Sequence, residues 1–305
     1  KMAVKSFVLI FILILVIGFV SANIFDDFFN WFKGKSKPLS SPQQIEFKGL
    51  PDGFKTISGF YHSFDNGRVI LCNQYGECYI SKDGLNFQEF TNEEMVAVGL
   101  PQNFEPKVGF YHPFGGDGGR IILSNSIGLT YIYNPSVNRF EPFTSEMKTA
   151  VGLPSGFVPK EGYWHNIGGD GGRITLFGNG KVYVARSDFK FTGYNPADFA
   201  LPSDSFDVIT AGYYYEFPDG RKGIELWYRD YKYDANNNFI GETKLYKYNR
   251  ATNKFVSTTY TGLSSDFIPT AGYFGKINNL IVLWGLDELG RAKVYSSNDA
   301  VNFYE

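Results

Sequence analysis

The sequence contains few of the residues from which catalytic and metal sites are usually built. Its 305 residues include two cysteines, three histidines and three methionines. Neither a Gly-x-Ser-x-Gly nucleophile motif nor a His-Glu-x-x-His zinc motif occurs in it. These absences predict that the protein is not an enzyme and holds no resident cofactor.

An excess of either charge is also missing. Lys and Arg together number 29 and Asp and Glu 31, which gives a formal net charge of −2. No basic stretch is longer than a few residues, whereas a nucleic-acid groove needs clustered Lys and Arg to meet the phosphates. We therefore expect no nucleic acid among the partners.

Aromatic residues and glycine are abundant instead, with 30 Phe, 21 Tyr and 34 Gly. Strong helix-forming runs are few after residue 40, and aromatic side chains favour strands. The chain is long enough to bury a large core. One all-β domain with an N-terminal appendage is therefore expected.

A repeat organises this domain. The stretch 115-GGDGGRIIL-123 returns as 168-GGDGGRITL-176, and β-prone residues follow both copies, which argues against a phosphate-binding loop that opens a helix. The flanking residues repeat too. Aligned on the glycine before an aromatic pair, five units begin their first strands around Gly59, Gly109, Gly162, Gly212 and Gly272. Five units of about 50 residues are typical of a propeller.

Each unit contains four short β-prone runs separated by turn residues; in the first unit these are Thr56–His62, Arg68–Asn73, Cys78–Ser81 and Phe87–Phe90. The sequence therefore predicts an all-β, five-bladed β-propeller of four-stranded antiparallel blades over residues 45–305. One-turn helices are expected between blades, where Thr91 and Glu94 form a capping box and Gly99 and Gly152 can end a helix. Residues 229–244 indicate a longer hairpin in blade four.

Two turns add a resemblance. The stretches 81-SKDGLNF-87 and 296-SSNDAVNF-303 resemble the Asp-box of sialidase-like propellers, a hairpin turn that many non-enzymatic propellers carry. The resemblance implies a propeller repeat protein. It does not extend to the sialidase active site, which needs an arginine trio and six blades.

The three histidines fall at one repeat position: His62, His112 and His165 end three successive inner strands. We expect these side chains to serve packing or turn hydrogen bonding; the alternatives are ligand contact, or zinc binding by three imidazoles around the central channel. The turn carboxylates Asp65, Asp117, Asp170 and Asp219 could ligate calcium, or could hydrogen-bond their own turn. The arginines of the same turns, Arg68, Arg120, Arg173 and Arg221, are expected to pair with those carboxylates or with nearby carbonyls.

Cys72 and Cys78 flank the turn 73-NQYGE-77 on facing strands of one hairpin. A disulfide between them suits an exported protein, and two free core thiols are the alternative.

The N-terminus differs from the rest of the chain. Residues 7–22 carry no charge and follow a basic start, and Val20-Ser21-Ala22 is typical of a signal-peptide cleavage site. Because the sequence starts with Lys and keeps this stretch, we expect instead a hydrophobic helix over residues 1–33 and a linker over 34–44. The arrangement resembles an archaeal type IV pilin, although Lys5 stands where bacterial pilins have glutamate. The apolar residues that would pack in a filament or bilayer are Phe7, Ile10, Phe11, Leu13, Leu15, Ile17 and Phe19.

These features predict an extracellular, cell-surface structural or adhesive protein. Its partners would be copies of itself through the N-terminal helix, as in a pilin-like filament, or membrane lipid. The alternative is a secreted, lectin-like propeller that binds surface glycans through its aromatic and Asn/Asp-rich loops.

Leu13→Asp tests the N-terminal prediction. Each large apolar side chain of residues 7–22 stabilises its buried state by about 1.5–3 kcal/mol, so a charge in the middle of the stretch should abolish assembly or anchoring. Sedimentation and vesicle flotation measure this loss, and near-ultraviolet circular dichroism should show an unchanged propeller. A full-length protein with intact Lys1 that remains a monomer without detergent would contradict the prediction.

Overall fold

The computed structural model describes residues 45–64, 67–114, 119–167, 171–202, 209–229 and 242–305. The chain divides into two compact units, Lys1–Gln43 and Gln44–Glu305, and all of the described residues belong to the second. The predicted N-terminal helix and linker, with the apolar residues from Phe7 to Phe19, lie outside the described residues. Within the described ranges no helix has the length and hydropathy required to cross a membrane.

The described strands form five antiparallel sheets, each built from one stretch of chain, so the all-β, five-bladed propeller is confirmed. The first blade has β1 (Thr56–His62), β2 (Arg68–Asn73), β3 (Cys78–Ser81) and β4 (Phe87–Phe90). The second has β5 (Val108–His112), β6 (Arg120–Ser124), β7 (Thr130–Asn134) and β8 (Arg139–Pro142). The third has β9 (Glu161–His165), β10 (Arg173–Gly178), β11 (Lys181–Ala185) and β12 (Phe191–Tyr194). The fourth has β13 (Ile209–Glu216), β14 (Lys222–Arg229), β15 (Thr243–Asn249) and β16 (Lys254–Thr258), and the fifth has β17 (Ile268–Gly275), β18 (Leu280–Leu286) and β19 (Ala292–Ser297).

The fifth blade departs from the expected four strands. Its sheet has three strands, and one antiparallel bridge between Ser296 and Tyr304 takes the place of the fourth. Side chains extend this contact, because Lys293 pairs with the carboxylate of Glu305 and the Tyr295 hydroxyl lies 3.3 Å from it.

The inner strands β1, β5, β9, β13 and β17 are neighbours around the ring, and β1 meets β17 to close it. Their glycines permit this approach. A Cβ atom at Gly109 would lie 2.4 Å from the Phe60 ring of the preceding blade, and one at Gly162 would lie 2.8 Å from Phe110. A Cβ at Gly272 would lie 2.8 Å from Tyr213. The repeated glycine therefore leaves room for an aromatic ring of the blade before it. We call it the seat glycine.

Short linkers connect the blades and bind the outer strand of the next one. The helix α1 (Asn92–Ala97) has the expected capping box, in which the Glu94 amide donates to Thr91 Oγ1 at 3.2 Å and the Thr91 amide donates to the Glu94 carboxylate at 2.8 Å. After it, Gly99 takes a φ of 96°, and the Phe140 amide donates to the Val98 carbonyl at 2.6 Å. The helix α2 (Ser145–Ala150) precedes the same arrangement at Gly152.

A disulfide joins Cys72 to Cys78 across the hairpin β2–β3. The two residues are directly paired in the strand register, and both are buried. The bridge closes a short segment around the turn that follows Asn73, so its contribution to stability through loop entropy is modest.

Gly109→Ala should destabilise the propeller by about 1–3 kcal/mol, because the added methyl group overlaps the buried Phe60 ring and neither inner strand can retreat. Chemical denaturation monitored by fluorescence measures the change. Gly156→Ala is the matched control, since a Cβ there meets no atom within 4 Å. Equal stabilities of the two variants would contradict the assigned role of the inner-strand glycine.

Candidate functional site

The central channel opens into a cavity of about 290 Å³ at the end of the ring where the inner strands finish. Each inner strand contributes an aromatic residue from the same repeat position, two residues after the seat glycine. These residues are Tyr61, Tyr111, Trp164, Tyr214 and Phe274, and we call them the aromatic mouth. The first four are half-buried and Phe274 is buried, so ring surface is accessible from the opening.

Aromatic neighbours hold the mouth residues in place. Phe64 of blade one packs edge-on against Tyr111 with ring centroids 5.4 Å apart, and Phe217 of blade four packs against Phe274 at 5.2 Å. Trp164 and Tyr214 are themselves edge-to-face at 5.8 Å. The aromatic mouth is therefore preformed, and ordering its side chains for a ligand has little further entropic cost.

The repeated glycine turn supports the same residues. Gly119 and Gly172, the last glycines of the two identical turns, have φ values of 95° and 89°. A Cβ at Gly119 would lie 2.8 Å from the Tyr111 hydroxyl, and one at Gly172 would lie 2.7 Å from Trp164 Nε1. The turn thus needs glycine for both its left-handed backbone and the aromatic tip that rests on it.

Two hydroxyl groups at the mouth, those of Tyr61 and Tyr214, are protonated at physiological pH. Burial, with the adjacent Tyr111, raises the pKa of the Tyr61 hydroxyl. Burial and a 2.8 Å hydrogen bond to Glu216 raise the pKa of Tyr214. Trp164 Nε1 is a buried donor for which the described structure holds no acceptor. Lys276 is the charged side chain among the described lining residues.

A second cavity, of about 260 Å³, occupies the opposite end of the channel and contains a carboxyl group that sequence reasoning missed. Glu161 lies one residue before its seat glycine, and its Oε1 accepts from the Gly162 amide at 2.8 Å. Burial raises the pKa of Glu161 to about 8, although the amides of Gly162 and Gly212 act in the opposite direction. The signal for it was present in the repeat, because the equivalent residues are Ser58, Val108, Ala211 and Ala271.

The histidines share one repeat position, as expected, but they do not surround the channel. His62, His112 and His165 are buried, and none lines either channel cavity. His112 lies 5.5 Å from Phe189 and His165 lies 6.1 Å from Tyr248, each ring belonging to the next blade. The reason is the two-residue period of a strand: a histidine three residues after the seat glycine shares its face with the aromatic residue that packs between blades.

These histidines are not arranged as metal ligands. Burial, and then the charge of Arg120, lowers the pKa of His112 to about 3, so its imidazole is neutral. Among the described residues no group of three or more His, Cys, Asp or Glu is placed to hold a metal ion.

Of the four turn carboxylates, Asp65, Asp117 and Asp170 lie outside the described residues, and calcium binding by Asp117 and Asp170 stays a prediction. In blade four, Asp219 accepts from the Arg221 amide at 3.0 Å and from Arg221 Nε at 2.7 Å. The Arg221 guanidinium also donates to the Asn298 carbonyl of blade five at 3.2 Å. The carboxylate here closes its own turn, and the arginine connects two blades.

The two turns that resemble the Asp-box share one hydrogen-bond pattern. Asp83 Oδ1 accepts from the amides of Leu85 and Asn86 at 2.8 and 2.7 Å. Asp299 Oδ1 accepts from the equivalent amides of Val301 and Asn302 at 2.9 and 2.8 Å. These carboxylates are occupied by their turns, so they contribute to the hairpins and not to the channel.

Comparisons with known proteins bear on the fold. No protein-family model matches the chain, and no curated protein matches its sequence. Among solved structures, a thermostable family-43 glycoside hydrolase is 8% identical with a TM-score of 0.45, and the match covers 86% of this chain and 95% of that one. An exo-beta-1,3-galactanase from Clostridium thermocellum is 9% identical with a TM-score of 0.44, covering 85% and 64%. A GDP-Man-dependent mannosyltransferase from Leishmania mexicana is 9% identical with a TM-score of 0.45, covering 87% and 92%.

At these identities the likeness is one of fold and assigns no substrate. It does correct the expectation that the protein is not an enzyme, because glycoside hydrolases are among the chains with a similar fold. The missing motifs were a poor guide for a physical reason. Glycoside hydrolysis requires two suitably spaced carboxyl groups, which come from distant parts of a chain and leave no local motif.

Glu161→Gln tests the environment of the channel carboxyl group. With a folded pKa of about 8 and an unfolded value near 4.3, Glu161 binds more protons in the folded state between these pH values. The free energy of unfolding should therefore fall as pH rises from about 5 to 8, and Glu161→Gln should remove part of that fall.

Urea denaturation at several pH values measures the effect, with the exposed Glu288→Gln as control. Parallel pH profiles for the wild type and Glu161→Gln would show that Glu161 titrates normally.

Proposed function

We propose that the aromatic mouth is a carbohydrate-binding site. The observation that carries the proposal is the set of five aromatic residues, one from each blade, around a single open cavity. A sugar ring presents apolar C–H faces and hydroxyl groups at its periphery. Tyrosine and tryptophan match both, because each combines an apolar face with a polar tip.

The size and charge of the cavity favour the end of a neutral glycan chain. Its volume of about 290 Å³ is at the lower limit of small-molecule sites, which suits one or two sugar residues entering from the open end. The hydroxyls of Tyr61 and Tyr214 remain protonated at neutral pH, and the half-buried Trp164 ring adds apolar surface to the cavity. Lys276 at the rim adds a donor for ring or hydroxyl oxygens.

In this proposal the protein acts outside the cell as a surface-held adhesin. The disulfide Cys72–Cys78 supports an oxidising compartment. The uncharged residues 7–22 supply the attachment, either to a bilayer or to other copies in a pilin-like filament.

Hydrolysis of a glycan that reaches the second cavity is a second candidate, and Glu161, which lines that cavity, favours it. A carboxyl group with a pKa of about 8 is protonated at neutral pH, the state that a general acid requires. The described lining of the two channel cavities contains no second carboxylate to act as nucleophile or base.

Trp164→Ala should weaken glycan binding by about tenfold or more, because one apolar ring face is lost and a side chain of this size contributes about 1.5–3 kcal/mol when buried. A panel of neutral oligosaccharides is screened first, and hits are titrated by calorimetry with the full-length protein. Reducing ends are counted in the same samples, with Glu161→Gln as the control for cleavage.

Tyr75→Ala is the matched control, because this exposed aromatic residue lies at the other end of the ring. Equal affinities for the Trp164→Ala and Tyr75→Ala variants would remove the mouth as the binding site. Failure of every glycan to bind would remove carbohydrate as the ligand class.

A further inference from the structure

Three turns at the end of the propeller opposite the mouth expose a large apolar residue. They connect β2 to β3, β6 to β7 and β18 to β19, and the residues at their tips are Tyr75, Ile127 and Leu289. These side chains are 73%, 74% and 78% exposed, the highest values among the large apolar residues of the described structure. We call the three residues the apolar tips.

The three turns have the same construction. An Asn or Asp at the first position accepts amide hydrogens of its own turn: Asn73 Oδ1 from Tyr75 at 2.9 Å and Asp287 Oδ1 from Leu289 at 3.0 Å. Asn125 Oδ1 accepts from Leu129 at 2.9 Å. The fourth position is a left-handed glycine in each, with φ values of 80°, 82° and 71°. The backbone is thus fixed without help from the apolar tip, and nothing in the turn requires that residue to be apolar.

The apolar tips lie on three successive blades that flank the entry of the chain. They belong to blades five, one and two, and the described chain enters between blades five and one at Ile45. Ile45, Phe47 and Leu289 line one cleft there. The equivalent turn of blade three is shorter and ends in Asn179 and Gly180, which are polar or small. The turn of blade four lies outside the described residues.

We propose that the apolar tips insert into the interface of a lipid bilayer. The uncharged residues 7–22 precede this entry point in sequence, and residues 23–44 can span at most about 75 Å when fully extended. A bilayer that holds residues 7–22 is therefore within reach of the face on which the chain enters. Isolated Tyr, Ile and Leu side chains on rigid turns suit the boundary between headgroups and acyl chains.

The charges near the apolar tips favour an uncharged lipid surface. Arg291 pairs with Asp287 at 2.6 Å, Lys293 pairs with Glu305, and Lys48 pairs with Glu46 at 3.5 Å. These pairs carry no net charge, and the carboxylates beside the tips, Glu77 and Glu288, disfavour anionic headgroups. The contact is thus apolar in origin, so it should persist in phosphatidylcholine and at high salt.

The experiment places an environment-sensitive NBD label on the full-length protein reconstituted in phosphatidylcholine vesicles. Single labels are attached at Ile127→Cys and Leu289→Cys, with Val137→Cys as control, since Val137 is exposed on a turn at the mouth end. Position 75 is left unlabelled because it lies between the two cysteines of the disulfide. Lipids that carry a doxyl quencher are then included.

We expect the quencher to remove most of the emission at positions 127 and 289 and none at position 137, at low and high salt alike. Absence of quenching at both tips, or equal quenching at all three positions, would overturn the proposal. Blue-shifted emission at the tips without lipid quenching would also overturn it, because a protein surface and not lipid would then cover them. Glycan binding at the mouth is measured separately and does not affect these outcomes.

Discussion

The contact between the seat glycine of one inner strand and the aromatic ring of the preceding blade determines much of this structure. Five inner strands can approach one another around a narrow channel only where one strand lacks a side chain at the crossing. Phe60 on Gly109 and Phe110 on Gly162 show the arrangement most directly. Since side chains alternate along a strand, this contact also decides where the next residues point. Tyr61, the residue after Phe60, lies on the opposite face of the strand and reaches the mouth. His62 lies again on the face of Phe60, at the interface between blades.

Departures from the repeat concentrate around blades three, four and five, where polar groups replace apolar ones. Gly212 receives Glu161 in place of an aromatic ring, with a Cβ there only 2.9 Å from Glu161 Cγ. Farther around the ring, Glu225 is fully buried, accepts from the Tyr213 hydroxyl at 2.5 Å and pairs with Lys247 at 3.1 Å. These two buried carboxyl groups have specific partners, without which their burial would be costly. Such sites break the repeat because a unique partner can exist in only one blade.

The repeat made the architecture predictable from the sequence, because five aligned glycines imply five equivalent inner strands. The capping box at Thr91 and Glu94 was predictable for the same local reason. The site was harder. His62 and Tyr61 are adjacent in the sequence, and the histidine was the residue considered for the channel, whereas the alternation of side chains places Tyr61 at the mouth. The reduced fourth strand of blade five could not be predicted from the repeat. Glu161 stands out in the repeat as a departure from small or apolar residues, but the repeat does not reveal the burial of its carboxyl group.

Blade topology keeps the two ends of the propeller chemically independent. In a four-stranded antiparallel blade the first and third turns lie at one end, and the second turn lies with the linkers at the other. At the mouth end, the first turn of blade four and the third turn of blade one are closed by their own carboxylates, Asp219 and Asp83. The second turns of blades one, two and five share a scaffold that does not depend on the residue at its tip, so Tyr75 or Leu289 can change without disturbing the mouth. One repeat can therefore present a preformed aromatic site at one end of its axis and an apolar contact surface at the other.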